Sequence, residues 1–149
     1  MGRKDPLDRQ HLASYAGREQ SAVKHFLIDS YLARLIMITA QARYDHISYI
    51  DAFAGPWNSS RDDLSDTSFA RAVEVMEGCR VKLARDFQRS VHFRALFVER
   101  NAERFARLKQ FAAERSSIGI SITALNDDFA RSVKAVSDWI RSDEMTTRR

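Results

Sequence analysis

The chain has 149 residues, 44% hydrophobic and 30% charged, which suits one domain with a sizeable core and excludes a disordered composition. No apolar run approaches the ~20 residues of a membrane span, and Met1-Gly2-Arg3-Lys4-Asp5-Pro6 lacks the apolar segment of a secretory signal, so a cytoplasmic protein is expected. The formal net charge is +4, but the arginines are spread along the chain and interleaved with acids, which argues against a nucleic-acid partner; the single cysteine, Cys79, excludes an intramolecular disulfide and a cysteine-based zinc site.

Residues 1–20 are polar and read as a loose N-terminal segment. A helix is expected over 21–41, because Val23, Leu27, Tyr31, Leu35 and Ile38 fall on one stripe at helical spacing. Ile28, Leu32 and Ile36 widen that stripe, so this helix is covered on more than one side. A strand follows over 47–52. It stops on Asp51, turns at Ala52-Phe53-Ala54-Gly55 and breaks at Pro56-Trp57. The polar stretch 56–66 reads as a loop. A helix begins near Thr67, capped by Asp66 or Thr67, with Phe69, Ala72, Val73, Met76 and Leu83 on its apolar face and Gly78 as a weak point.

His92 to Val98 is a second strand, ending at Glu99. A helix over about 101–114 carries Phe105, Leu108 and Phe111. Alternation of Ile118, Ile120, Ile122 and Ala124 predicts a third strand, ending at Asn126-Asp127-Asp128. A last helix, about 128–141, is expected to bury Phe129, Val133, Val136 and Ile140, and 142–149 reads as a polar tail. Strand–helix alternation argues for a parallel sheet with flanking helices. The domain is therefore expected to occupy 21–141.

Three strand ends carry polar groups: Asp51 with the Ala54-Gly55 turn, Glu99, and Asp127-Asp128. In a parallel sheet they share one edge, where ligands of open α/β sheets bind. An adenosyl ligand suits them. A carboxylate at the second strand end accepts both ribose hydroxyls. An aspartate at the third accepts from the adenine amine. Asp51 faces a positive group such as the amino or sulfonium end of S-adenosylmethionine. Each acid also has a plainer reading: Asp127 or Asp128 caps the last helix, and Glu99 favours a helix dipole. A dinucleotide is disfavoured, since there is no G-x-G-x-x-G and Asp51 lies much further from Glu99 than the ~20 residues of that fingerprint. Four scattered histidines show no ligand spacing, so no metal is expected. Cys79 has no base tied to it, and Trp57 either covers a ligand or packs on a neighbouring element.

Ile50-Asp51-Ala52-Phe53-Ala54-Gly55-Pro56 resembles the I-D-x-F-A-G-P signature of the three-Cys-motif partner proteins, a bacterial family. Lys24-His25 with Tyr31-Leu32, Asp66-Thr67-Ser68-Phe69-Ala70, Phe97-Val98-Glu99-Arg100-Asn101 and Asn126-Asp127-Asp128-Phe129 resemble further elements of that family in the same order, over about residues 22–130. The sequence departs at Trp57, where many relatives have Gly, and at Asp127, where the family step is N-G-D. The resemblance implies a Rossmann-like, S-adenosylmethionine-dependent methyltransferase-type fold and a radical-SAM-like partner carrying three cysteines. It also implies that Lys24 and His25 reach the cofactor edge. Relatives are roughly twice as long, so the chain is expected to hold the N-terminal half of the sheet, three strands, and no catalytic base is assigned. The cofactor-binding set is Asp51, Phe53, Ala54, Gly55, Glu99, Asp127 and Asp128. The second expectation is a non-catalytic interaction module that completes its sheet by self-association or with another chain, across the exposed edge of the first strand.

Overall fold

The computed structural model describes residues 13, 16–17, 19–55, 59 and 61–146. Most of the expected N-terminal segment, and Pro56 and Trp57, lie outside the described residues. The elements are α1 (Glu19–Leu27), a π-helical turn (Ile28–Leu32), α2 (Ala33–Gln41), β1 (His46–Asp51), α3 (Ser68–Phe87), β2 (His92–Val98), α4 (Ala102–Arg115), β3 (Ile120–Leu125) and α5 (Phe129–Thr146). The three strands form one parallel sheet in the order β1-β2-β3. This is a mixed α/β domain, consistent with a Rossmann-like arrangement.

Strand alternation separates the two faces of the sheet. Phe93, Ala95 and Phe97 of β2 and Ile120 of β3 are buried in one core with Phe69, Val73, Met76 and Leu83 of α3 and Leu108 and Phe111 of α4. Phe69 is fully buried between the rings of Phe97 and Phe111, whose centroids lie 5.7 and 5.0 Å away. Ile28, Ile36 and Ala40 of the first helix join the same core. On the opposite face α5 lies across β2 and β3. Arg94 donates to the Trp139 carbonyl and the Ser142 hydroxyl, its guanidinium sits 4.0 Å from the Trp139 ring centre, and the Trp139 indole donates to Thr123. The sheet is thus the middle of three layers.

Local chemistry explains most boundaries. Thr67 caps α3, its hydroxyl accepting from the Ala70 amide at 3.3 Å. Asn101 caps α4, its side chain accepting from Arg104. Gly78 sits inside the unbroken α3 with open space around its Cα. β3 begins at Ile120, two residues later than the alternation predicts. Gly119 has φ +95° and Ser117 and Ile120 exchange backbone hydrogen bonds, so the chain turns there and leaves Ile118 at the tip, 96% exposed. α5 runs on to Thr146, taking in the start of the expected tail.

Two apolar faces do not go where the periodicity places them. Val23, Leu27, Tyr31, Leu35 and Ile38 are exposed, while Ile28 and Ile36 are buried. Both sides of this helix are apolar, and the side that carries Ile28, Ile36 and the small Ala40 is the one that meets the core. In α5, Phe129, Val133 and Ile140 are exposed rather than buried; Arg94 and Thr123 engage the Trp139 side of the helix instead.

Phe69→Ala should cost about 3–5 kcal/mol, as for large aromatic truncations in a packed core, read as a lower urea midpoint. The Tyr49 phenol is held above its ordinary value, first by burial and then by the nearby Asp51 charge. Unfolded chain therefore releases this proton first. The stability contributed by neutral Tyr49 is complete below pH ~10 and declines as the pH rises from there toward the folded value. Urea titrations in the alkaline range should show a steeper loss for wild type than for Tyr49→Phe.

Candidate functional site at the carboxyl edge of the sheet

β1 ends on Asp51, which is buried. Both its carboxylate oxygens accept from Lys24 Nζ of α1 at 2.9 Å, and Oδ1 also accepts from the Phe53 amide at 3.0 Å. Lys24 Nζ donates as well to the Phe53 carbonyl. The carboxylate therefore folds the chain back in an Asx turn, and the ammonium closes it from the other side. The Ala54 amide then donates to the Val98 carbonyl at 3.0 Å, so the turn is stitched to the end of β2.

That stitch brings Gly55 onto Glu99. Glu99 is buried, follows β2 directly, and accepts from the Asn101 amide through Oε1 at 2.8 Å. Its own amide donates to the Leu125 carbonyl. A Cβ built on Gly55 would collide with Glu99 Oε2 and lie 2.9 Å from Cδ. Glycine lets the backbone approach the carboxylate closely here, where a Cβ would push the Glu99 carboxyl group aside; no unusual φ is involved. The side chain of Asn126 donates to the Glu99 carbonyl at 2.8 Å and ties the end of β3 to that of β2.

Beyond these strand ends lies a cavity of about 370 Å³, within the size range of small-molecule pockets. Gly55, Val98 and Glu99 line it together with Asp127 and Asp128. The rings of Phe53 and Phe129, 5.2 Å apart between centroids, stand at one side. Gln20 of α1, Ala52, Arg100 and Arg104 complete the lining.

Five of the seven expected residues thus meet around one cavity: Phe53, Gly55, Glu99, Asp127 and Asp128. Asp51 and Ala54 are buried beside it and do not line it. Asp51 meets the ammonium of Lys24. Asp128 takes the capping role, accepting from the Arg131 amide at 3.1 Å, while Asp127 Oδ1 accepts from the Asp128 amide at 2.8 Å. The Arg131 side chain lies 3.2 Å from Asp127 and 3.5 Å from Asp128. Of the two residues placed at this edge by resemblance, Lys24 reaches Asp51 and His25 is buried. Gln20, Arg100, Arg104 and Phe129 line the cavity without having been singled out for a site. For Arg104 the available signal was its place in the first turn of the helix after Glu99. Phe129 was read as core from the helical period of α5.

Burial pushes the Cys79 thiol up, away from the thiolate a nucleophile needs. Among the described residues no group of His, Cys, Asp or Glu is arranged to hold a metal ion. No described helix is long and apolar enough to cross a membrane. Compared with protein-family models, curated proteins and solved structures, the chain matches none.

Removing the ammonium leaves Asp51 buried with a single backbone partner. Lys24→Met should cost about 1–3 kcal/mol, the range for stranding a buried polar group, and Lys24→Met/Asp51→Asn should recover part of it. A double-mutant cycle by urea denaturation gives the coupling.

Proposed function

We propose that the carboxyl edge of the sheet binds S-adenosylmethionine, and that the chain is a methyltransferase-like partner of a radical-SAM-like protein carrying three cysteines. The observation that carries the cofactor reading is the buried Glu99 at the end of β2, packed under Gly55 and opening on a nucleoside-sized cavity. Glu99 accepts from the Asn101 amide, and a carboxylate offers about four acceptor directions, so a backbone contact and a vicinal diol are compatible on one group. In this reading Glu99 takes the ribose hydroxyls, and Asp127 and Asp128 take the adenine side. Phe53 and Phe129 give an apolar wall for the planar base.

Gly55 lets the ligand approach the backbone at the methionine end. Asp51 acts there through its contacts, holding Lys24 and the Phe53 amide so that the turn keeps its shape. The bound cofactor would supply an electrophilic methyl group. Such transfer depends on proximity and alignment more than on a base, so the residues named have binding and positioning roles. The partner assignment rests on the resemblance of the Ile50–Pro56 signature and the ordered matches around it. Co-purification of the two proteins after co-expression is the outcome expected from it.

Titration calorimetry of the folded protein with S-adenosylmethionine should show saturable binding. Glu99→Ala should weaken it by about 1–3 kcal/mol, from the ribose hydroxyls left unpaired, roughly 5- to 150-fold in Kd. Gly55→Ala should weaken it through displacement of the Glu99 carboxylate. A folded wild-type protein that takes up no ligand at millimolar concentration would end the cofactor reading.

A further inference from the structure

Several arginines of the chain meet an acid: Arg61, Arg71, Arg85 and Arg115 each pair with an Asp or Glu. Arg80 of α3 and Arg89, just beyond the end of that helix, do not. Among the described residues neither side chain has a hydrogen-bond or ion-pair partner, and Arg80 Nε is buried without an acceptor. An unmatched buried donor is uncommon in folded proteins and calls for a physical account.

Both arginines are partly buried, and both line one cavity of about 330 Å³. Ser90 and Val91 border it from the link into β2, and Ile118 and Gly119 from the turn before β3. No acidic residue is in the lining. This is the amino edge of the sheet. Val91 precedes β2 and Glu99 follows it, so one strand length, about 20 Å, separates this cavity from the one at the carboxyl edge. None of its lining residues belongs to β1 or to the first helix.

The Gly119 turn holds Arg80 in place. Gly119 takes φ +95°, and a Cβ built there would lie 3.1 Å from Arg80 Cδ and 3.7 Å from Nε and Nη1. The Arg80 side chain thus lies against the bare backbone of the turn, which fixes its stem before any ligand arrives. A guanidinium is always charged, so two of them in one cavity with no acid in its lining repel each other. The negative end of α3 favours a cation nearby. That accounts for Arg89 beside the helix end, but it gives Arg80 Nε no acceptor. An anion in the cavity supplies both the missing charge and the missing acceptor.

A phosphate group fits this donor set. It carries three terminal oxygens and close to two negative charges near neutral pH. Planar guanidinium forks bind such oxygens in pairs, and the Ser90 hydroxyl is a further donor at the same cavity. A carboxylate has a single charge for two guanidiniums. The cavity is also larger than a bare phosphate ion needs. Val91, which is buried, and Ile118, which is 96% exposed, give it apolar surface for a small organic group.

We propose that this amino-edge cavity binds the phosphate group of a small phosphomonoester, with Arg80 and Arg89 as its two charged donors. The site is separate from the carboxyl edge and does not rest on what binds there.

Nuclear magnetic resonance of the arginine Nε–Hε groups in the isotope-labelled protein reads the site directly. Titration with inorganic phosphate should move the Arg80 and Arg89 signals along saturating curves at millimolar ligand, and glycerol phosphate should bind more tightly. Sodium chloride at matched ionic strength should leave both signals in place. Arg80→Gln and Arg89→Gln should each weaken phosphate binding by about tenfold, from the loss of a charge-assisted pair. Arg61→Gln, the same charge change on a different loop, should leave binding unchanged. Signals that do not saturate at tens of millimolar phosphate overturn the proposal. So does an equal response to chloride, or an Arg61→Gln effect as large as that of Arg80→Gln. Glycerol phosphate binding no tighter than the inorganic ion overturns the organic ligand, and a single-stranded oligonucleotide that binds where both small phosphates fail overturns the small one. If the arginine variants do not fold, the wild-type signals decide alone.

Discussion

The carboxylate of Asp51 is the point from which the functional edge is assembled. It ends a parallel strand, where the chain would otherwise leave the sheet without backbone partners. Instead it accepts from Lys24 and from the Phe53 amide, which bends the chain back toward β2. The Ala54–Val98 hydrogen bond follows from that bend, and the Gly55–Glu99 contact follows from the hydrogen bond. An acid that looked like a ligand group in one dimension is the anchor of the turn that shapes the cavity in three. Its burial is sustained by pairing and hydrogen bonding, the usual condition for a buried charge.

The acids at the other strand ends divide their capacity between structure and the cavity. Glu99 gives one oxygen to a backbone amide, Asp128 caps α5, and Asp127 accepts from the amide that follows it. Capping and ligand binding are not exclusive, since a carboxylate offers about four acceptor directions. A cap also fixes a rotamer, so these groups are held in place before any ligand arrives. The proposed cofactor site gains from the same hydrogen bonds that a purely structural account would cite.

The first helix shows the opposite balance. Its core side is built from Ile28, Ile36 and Ala40, a mixture of branched and small residues that joins the same core as α3. Larger residues are left outside. A protein surface is always partly apolar, so one exposed leucine means little. Five on one helix, Val23, Leu27, Tyr31, Leu35 and Ile38, are more than scattered single residues.

Much of the architecture was legible in local pattern. β2 falls on His92–Val98 as expected, Thr67 and Asn101 begin their helices, and the three polar strand ends share one edge because parallel strands must put them there. These features depend on near neighbours in the chain. The start of β3 was misplaced because alternation alone cannot register the Gly119 turn, and the extent of α5 because polar residues continue a helix as readily as they form a tail.

By itself the sequence determined element order, the parallel sheet and the candidate acids, since periodicity, capping and strand-end chemistry are short-range. Only the tertiary structure decided which of two apolar faces the first helix buries, that Asp51 meets Lys24 rather than the cavity, that Gly55 lies against the Glu99 carboxylate, and that Phe129 stands beside Phe53. Each of these depends on contacts between residues distant in the chain. Hydrophobic burial has no direction of its own, so which face packs inward is set by the shape of the partner, and that shape exists only once the chain has folded.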